Sequence, residues 1–392
     1  MSTEKKRKIL AVLVDRANFG RMRTVMTAIQ EHPDLELQVL CAGSMVLERF
    51  GSTWQEVEEE GFTVNSRVYM ELEGSVPLSM AKSLGFGIIE FSSELDRLRP
   101  DIVLLIGDRY EALGAALAAA YMNIPTAHIQ GGEISGSIDD SARHAITKFA
   151  QWHFPSTKRS AEYIRCMGEP REHIFMCGCP VGDYILKLDE TLPTDAFRAG
   201  SGAHIDVERD FLLVIFHPIT TAFGTEDEGQ ISSLLDALGE LRKPTVFLWP
   251  NIDAGADHIS KSLRVFRDRY APDWLRFLTN LPPVLYQKVL KRCRVAVGNS
   301  SSFVRDTTFS GTPVVLTGDR QSGRELGHNA LCVPTDRAAI VDAIRQQWHH
   351  GRYAPDELYG DGRAGERIAE VLAKVSPYVQ KRLDYLERGE SS

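Results

Sequence analysis

The feature that most constrains this chain is the run Ile102-Val103-Leu104-Leu105-Ile106, closed by Gly107-Asp108 and followed by the Ala-rich stretch Tyr110–Met122. An apolar run of that length with no polar alternation reads as a strand buried on both faces. Ala and Leu strongly favour helix, so the stretch after it reads as a helix. A strand hidden on both faces needs a helical layer above and below its sheet, and parallel strands need crossovers long enough to hold those helices. The same alternation recurs on either side. Ile9–Val14 is a predicted strand followed by a helix over Met22–Gln30, and Leu37–Cys41, Thr126–Gln130 and Trp152–Phe154 add further strands.

The texture changes near residue 190. Leu188 to Glu208 mixes Asp, Thr, Pro, Gly and Ser without apolar periodicity and reads as a linker. A second series follows, with strands at Phe211–Phe216, Thr245–Trp249, Val295–Val297 and Val314–Thr317, and the tail beyond Gly365 reads as charged helix through Leu386. The expected organisation is therefore a doubly wound domain over residues 1–188, a second over 205–365 and a C-terminal helical segment over 366–392. The full length, 392 residues, suits two such domains. No repeat of 20–50 residues is evident, which argues against a solenoid.

Composition narrows the function classes. The chain is 43% hydrophobic and 25% charged, which excludes global disorder. With 45 Lys and Arg against 53 Asp and Glu, the net charge is −8. That excludes a generic nucleic-acid or anionic-membrane surface while leaving room for a local cationic pocket. No apolar run approaches the roughly 20 residues of a membrane span. The N-terminal Met-Ser-Thr-Glu-Lys-Lys-Arg-Lys passes straight into a short strand rather than the apolar core of a signal peptide. The six cysteines, at 41, 166, 177, 179, 293 and 332, form neither a zinc knuckle nor a C-x-x-C pair, so reduced thiols in a cytoplasmic protein are expected.

In open parallel sheets ligands lie beyond the carboxyl ends of strands, which turns the sequence into a short list of candidate residues. After the first strand comes Asp15-Arg16, an arginine beside a helix start that suits an anion or is simply a surface residue in a capping loop. After Ile106 comes Gly107-Asp108-Arg109, where Asp108 is either an N-cap or a site residue. The densest stretch is His128-Ile129-Gln130-Gly131-Gly132-Glu133, followed by Asp139, Asp140, Arg143 and His144. Its paired glycines allow close backbone approach, and its acids and cations can shift one another's proton affinity. In the second half His217 follows Phe216, Asn251 follows the next strand, and Gly298-Asn299-Ser300-Ser301-Ser302 leads into a helix bearing Arg305 and Asp306. Serines at a helix start make a phosphate cradle, although one alone would serve as an N-cap. Gly318-Asp319-Arg320 then brings a further arginine close to that cradle. The division suggests an anionic leaving group held mainly by the second half, with acid and base groups mainly in the first. No Walker A, Gly-x-Gly-x-x-Gly or H-E-x-x-H pattern occurs at these sites.

Taken together, G-D-R at 107–109, H-I-x-G-G-E at 128–133, G-S-I-D-D-S-x-R-H-A-I-T-K at 136–148, H-P-I-T-T at 217–221, P-N-I-D-A-G at 250–255, G-N-S-S at 298–301 and G-T-P-V-V at 311–315 resemble the hydrolysing UDP-N-acetylglucosamine 2-epimerases. The resemblance runs in order from about residue 9 to 335. It implies a GT-B-like α/β fold, with two Rossmann-like doubly wound domains around a central cleft and the C-terminal helix crossing back to the first. It implies a cytoplasmic homodimer or homotetramer with a UDP-linked sugar as its partner, no nicotinamide or other cofactor, no metal, and no nucleic-acid or membrane partner. The reaction implied converts UDP-N-acetylglucosamine to N-acetylmannosamine and UDP through a 2-acetamidoglucal, in sialic acid-type biosynthesis.

Carried over position by position, Arg16, Ser300, Ser301 and Arg320 match diphosphate contacts, and Arg109 lines the same region. The backbone at Leu281 matches the uracil contact, Asp306 stands where the family has a ribose-binding Glu, and Gln130 and Asn251 match substrate positions. Asp108, Asp139, Arg143 and His217 match active-site positions, with Asp139 and Asp108 exchanging protons with the sugar and His217 assisting the leaving phosphate. The family commonly has Glu where this chain has Gln130, so either Glu133 takes over as the base or the substrate differs. Gly20, Asn18 and Asp306 also depart from the family pattern. Two alternatives follow. One is a 2-epimerase of a legionaminic-type pathway acting on a UDP-diacetamido or GDP-linked sugar. The other is a GT-B glycosyltransferase or nucleotide-sugar sensor.

Overall fold

The computed structural model describes residues 5–74, 76–135, 138–218, 225–250 and 256–384. The first half runs β1 (Arg7–Leu13), α1 (Arg16–Glu31), β2 (Leu35–Ala42), α2 (Trp54–Glu59), β3 (Val64–Val68) and α3 (Pro77–Leu98). It continues through β4 (Ile102–Ile106), α4 (Tyr110–Tyr121), β5 (Thr126–Ile129), α5 (Ile138–Phe149), β6 (Trp152–Phe154) and α6 (Lys158–Cys166). After the short α7 (Gly182–Ile185) come β7 (Ser201–Gly202), β8 (Leu212–Ile215), α8 (Thr225–Leu241), β9 (Thr245–Leu248), α9 (Ala256–Tyr270) and β10 (Leu275–Leu278). The chain then forms α10 (Pro283–Arg292), β11 (Val295–Gly298), α11 (Ser301–Ser310), β12 (Val314–Thr317), β13 (Ala330–Val333), α12 (Arg337–His350) and α13 (Ala364–Lys374).

The strands form two α/β sheets. The first has the order β3-β2-β1-β4-β5-β6 with every pairing parallel. Its strands are buried on both faces because their residues alternate between two cores. Ile9, Ala11, Leu13, Ile102, Leu104 and Ile106 pack on one side with α1 and α13. Leu10, Val12, Val103 and Leu105 pack on the other with α3 and α4. The second sheet has the order β13-β12-β11-β8-β9-β10-β7, parallel except for β7 at its edge. Each sheet therefore reverses its winding once, between β1 and β4 in the first and between β8 and β11 in the second. A crevice opens at such a reversal because the crossovers on its two sides leave in opposite directions.

The close fit at the second reversal depends on one glycine. Gly298 ends β11 opposite Ile215 with a φ of 138°. A Cβ there would lie 1.8 Å from the Ile215 carbonyl oxygen. Gly298→Ala is expected to cost about 3 kcal/mol, since neither backbone can yield without breaking the ladder. Gly85→Ala on α3, where an added methyl meets nothing within 4 Å, is expected to be neutral or to stabilise by up to about 1 kcal/mol. Paired thermal melts test this, and equal melting temperatures for the two variants would refute it.

Three sequence expectations need correction. The stretch between Leu188 and Glu208 is not a free linker. Leu192, Phe197, Ile205 and Val207 are buried in the second core, and β7 covers the β10 edge. Cys179, Val181, Tyr184 and Ile185 also belong to that core. Among the described residues the tail is helical only to Lys374, since Pro377 cannot continue a helix and biases the residue before it towards extended backbone. Beyond it the chain runs along the first domain, where Tyr378 donates to the Gln151 carbonyl and Lys381 to the carbonyls of Thr147 and Ala150. α13 itself packs on α1, with Ile368, Ala369 and Leu372 in the same core as Met22 and Met26. Among the described residues no helix is long and apolar enough to cross a membrane.

Candidate active site

The two winding reversals face one another across a single cavity. From the first domain Asp15, Arg16, Arg21, Asp108, Arg109 and Asp139 line it, and from the second His217, Leu281, Ser300, Ser301, Asp306 and Arg320. Residues from opposing sheets and distant parts of the chain thus share one space.

On the first domain, Asp15 caps α1 by accepting from the Asn18 amide at 2.6 Å, which leaves Arg16 at the first helical position, pointing over the crevice. Its guanidinium donates to Glu56 at 3.0 Å and reaches the second domain, where it donates to the Leu281 carbonyl at 3.1 Å. The backbone near Leu281, expected to contact a uracil, thus already has one carbonyl held by an arginine. Arg109 pairs with the buried Glu111 at 2.8 Å and still lines the cavity.

Asp108 follows β4 in a turn that depends on Gly107, whose φ is 79°. His128 fixes that turn from the neighbouring strand. Its Nε2 lies 2.8 Å from the Gly107 carbonyl and its Nδ1 3.1 Å from the Thr147 hydroxyl. Burial holds the His128 imidazole down at about 3, so at neutral pH it is uncharged and donates from Nε2. Burial alone would raise the Asp108 carboxyl, but the Arg143 guanidinium bonded to it, with Arg324 and Arg305 nearby, holds it well below the usual range.

The two aspartates that open α5 divide. Asp140 accepts from the Ser135 amide at 2.8 Å, the Ser135 hydroxyl at 2.7 Å and Arg143 at 2.5 Å, all of which hold the loop before the helix. Asp139 faces the cavity, with its carboxylate 3.9 Å from Arg320 across the cleft.

On the second domain, Asn299 follows Gly298 and locks the two strand ends together. Its side chain accepts from the His217 amide at 2.7 Å and donates to the His217 carbonyl at 2.9 Å. Ser300 occupies the N-cap position of α11, yet its hydroxyl makes no cap hydrogen bond and lies 2.9 Å from that of Ser302. Simple capping thus does not account for it, and a helix start lined up with a cavity offers amide donors suited to an anion. Arg320 donates to the Asn299 carbonyl at 3.2 Å, which places it against the same cradle. Burial pushes the Asp306 carboxyl up. One of its oxygens accepts from Gln287 at 2.6 Å, and the other is buried without a hydrogen-bond partner among the described residues.

Three candidates fall elsewhere. Glu133 is not on the cavity wall. It is buried between Arg305, at 2.6 Å, and Arg324. Burial would raise its carboxyl, but those guanidiniums and Arg143 bring it down to about 2, which makes it a poor proton acceptor. Gln130 also sits behind the wall, with a φ of 64°, accepting from Arg21 at 3.3 Å and donating to the Cys179 sulfur at 3.1 Å. Arg143 is buried beneath Asp108, where it orients rather than touches. Asn251 lies outside the described residues.

Sequence reading missed Arg21, Tyr286 and Gln287 on the wall and the partners of Glu133 behind it. Arg305 carried a signal, because it stands four residues after Ser301 on a helix start and donates to that hydroxyl at 3.0 Å. Arg21 carried none, since it stands five positions after Arg16, off the i+3 and i+4 spacing that shares a helix face. Among the described residues no three His, Cys, Asp or Glu side chains cluster as a metal site.

The family model described as UDP-N-acetylglucosamine 2-epimerase matches residues 27–373. The chain is 31% identical over 374 residues to the UDP-N,N'-diacetylbacillosamine 2-epimerase (hydrolyzing) of Legionella pneumophila, covering 95% of this chain and 97% of that one. It is 30% identical over 372 residues to the UDP-N-acetylglucosamine 2-epimerase of Neisseria meningitidis, covering 93% and 95%. The fold is similar to the crystal structure of a UDP-GlcNAc 2-epimerase from Neisseria meningitidis bound to UDP-GlcNAc, with a TM-score of 0.76, 17% identity and coverage of 94% and 100%. It is equally similar to that of Methanocaldococcus jannaschii in complex with UDP-GlcNAc and UDP, with a TM-score of 0.76, 14% identity and coverage of 93% and 99%.

Proposed function

The chain belongs to the UDP-N-acetylglucosamine 2-epimerase family, and we propose that it is a hydrolysing member. In this reading it converts UDP-N-acetylglucosamine and water to N-acetylmannosamine and UDP. The observation that carries the reading is the convergence of Arg16, Ser300, Ser301 and Arg320 on the cavity whose wall also bears Asp108 and Asp139.

The chemistry dictates that arrangement. The C2 proton of the sugar is barely acidic until C1 loses its leaving group, so the largest task is to stabilise the departing diphosphate. Arg16 and Arg320 supply charge from opposite domains, the start of α11 supplies amide and hydroxyl donors, and His217 stands beside the departing phosphate. As the C1–O bond breaks, UDP leaves with the bonding pair and Asp139 takes the C2 proton, giving the 2-acetamidoglucal. Water then adds across the double bond: its oxygen bonds to C1, Asp108 takes a proton from that water and hands it to C2 from the opposite face, and Asp139 releases the abstracted proton to solvent. The unpartnered Asp306 oxygen suits a ribose hydroxyl.

A second reading is favoured by the Legionella relative, whose name specifies a diacetamido sugar. In it the same steps act on a UDP-linked 2,4-diacetamido sugar. The test incubates the protein in D2O with each of the two UDP-sugars and follows released nucleotide and sugar by mass spectrometry. Free UDP and a mannosamine-type sugar carrying one deuterium at C2 are expected from one of them. UDP release with C2 untouched would point to a glycosyltransferase-type hydrolysis, and return of a UDP-linked epimer would exclude the hydrolytic route.

A further inference from the structure

Behind the cavity wall lies a buried cluster that the proton-transfer scheme does not use. Glu133 comes from the loop after β5, and Arg305 and Arg324 come from the second domain. All three are buried, as is Arg143. The Glu133 side chain and backbone face different partners. Its carboxylate receives Arg305 at 2.6 Å, whose other nitrogen donates to the cradle hydroxyl of Ser301 at 3.0 Å. The same carboxylate receives Arg324, four residues beyond Arg320 in the loop after β12. Its backbone carbonyl accepts from Arg143 at 2.6 Å, and Arg143 in turn holds Asp108 and, at 2.5 Å, Asp140.

The loop bearing Arg320 and Arg324 has two more anchors on the first domain. Thr157 donates to Glu325, and Arg159 to the Gly323 carbonyl. Glu133 therefore stands between the phosphate cradle, reached through Arg305, and Asp108, reached through Arg143. Three buried arginines face Asp108, Glu133 and Asp140, so removing any one charge leaves the others unbalanced.

We propose that Glu133 is a positioning residue that couples the diphosphate cradle of the second domain to the Asp108 carboxylate of the first, and that it takes no part in proton transfer. This rests on reading the cavity as a nucleotide-sugar site. It answers the question raised by Gln130, because the glutamate three residues on holds the domains in register and is not a substitute base.

The test is made on the full chain, with UDP binding measured by calorimetry and turnover measured across pH. Glu133→Gln keeps the shape and removes the charge. It is expected to raise the UDP Kd tenfold or more and to lower kcat, with the acid limb of the kcat/KM profile unmoved. Arg324→Met is expected to do the same, and the double variant should lose less than the product of the two, since both cut one link. Lost turnover with unchanged UDP affinity and a shifted acid limb would instead make Glu133 a proton-transfer group and overturn the proposal. Should Glu133→Gln fail to fold, Thr157→Val with Arg159→Ala frees the same loop without stranding a buried charge. It is expected to weaken UDP binding severalfold, and an unchanged Kd would overturn the coupling. A wild-type protein that binds UDP but turns over no UDP-linked amino sugar would sink the epimerase reading alone, because the affinity arm still judges the joint. One that does not bind UDP would sink both.

Discussion

Asp139→Asn is expected to slow both UDP release and deuterium entry at C2 by about 10²–10⁴-fold, the usual contribution of a positioned acid or base. The two should fall together, since C1–O cleavage without removal of the C2 proton leaves an oxocarbenium ion that returns to substrate. UDP affinity should hold or improve, because the substitution removes a negative charge 3.9 Å from Arg320, on the side where the phosphates are expected. Asp140→Asn, one residue along, should behave differently. Asp140 receives Ser135 and Arg143, so its neutralisation weakens the loop and lowers the melting temperature before it touches the chemistry. Rate and melting temperature measured for the pair separate the roles. An Asp139→Asn enzyme within tenfold of wild type would remove Asp139 from the proton path.

The family resemblance singled out Asp139, but spacing and residue type alone could not split the pair. As residue types Ile138-Asp139-Asp140 offers two equivalent carboxylates, and the course of the helix, with Ser135 folded back onto Asp140, gives the physical difference between them. The strand ends were far more legible. Arg16, Asp108, Ser300 and Arg320 each follow a continuous apolar run, and in a doubly wound sheet such runs end at the crevice. The weaker strands escaped notice for the same physical reason in reverse. Val64–Val68 carries Asn65, Ser66 and Arg67, and Leu275–Leu278 carries Arg276, since neither lies at the centre of its sheet. Pro377 was a visible stop signal outweighed by the charged texture around it. The pairing of Glu133 with Arg305 and Arg324 was beyond sequence reading. Its ion pairs join residues 172 and 191 positions apart, and periodicity describes neighbours only.

Arg320→Met should lower kcat by about 10²–10³-fold, equivalent to about 2.7–4 kcal/mol of transition-state stabilisation. The effect is expected mainly in kcat rather than KM. The diphosphate already carries charge in the ground state, but charge on the bridging oxygen grows only as the C1–O bond breaks, and a donor aimed there is worth most at that moment. The position of Arg320 fits such a role, since the Asn299 carbonyl at 3.2 Å fixes it beside the start of α11. Lysine should rescue only in part, because a single ammonium cannot hold the Asn299 carbonyl and a phosphate oxygen with the same planar geometry. Arg16→Met should add its own loss from the opposite domain. The double variant should lose less than the product of the two, because both donors serve one developing charge. Steady-state kinetics of the single and double variants on the same UDP-sugar decide the matter. A loss confined to KM would make Arg320 a binding residue only, and a change in kcat/KM below threefold would take it out of the site.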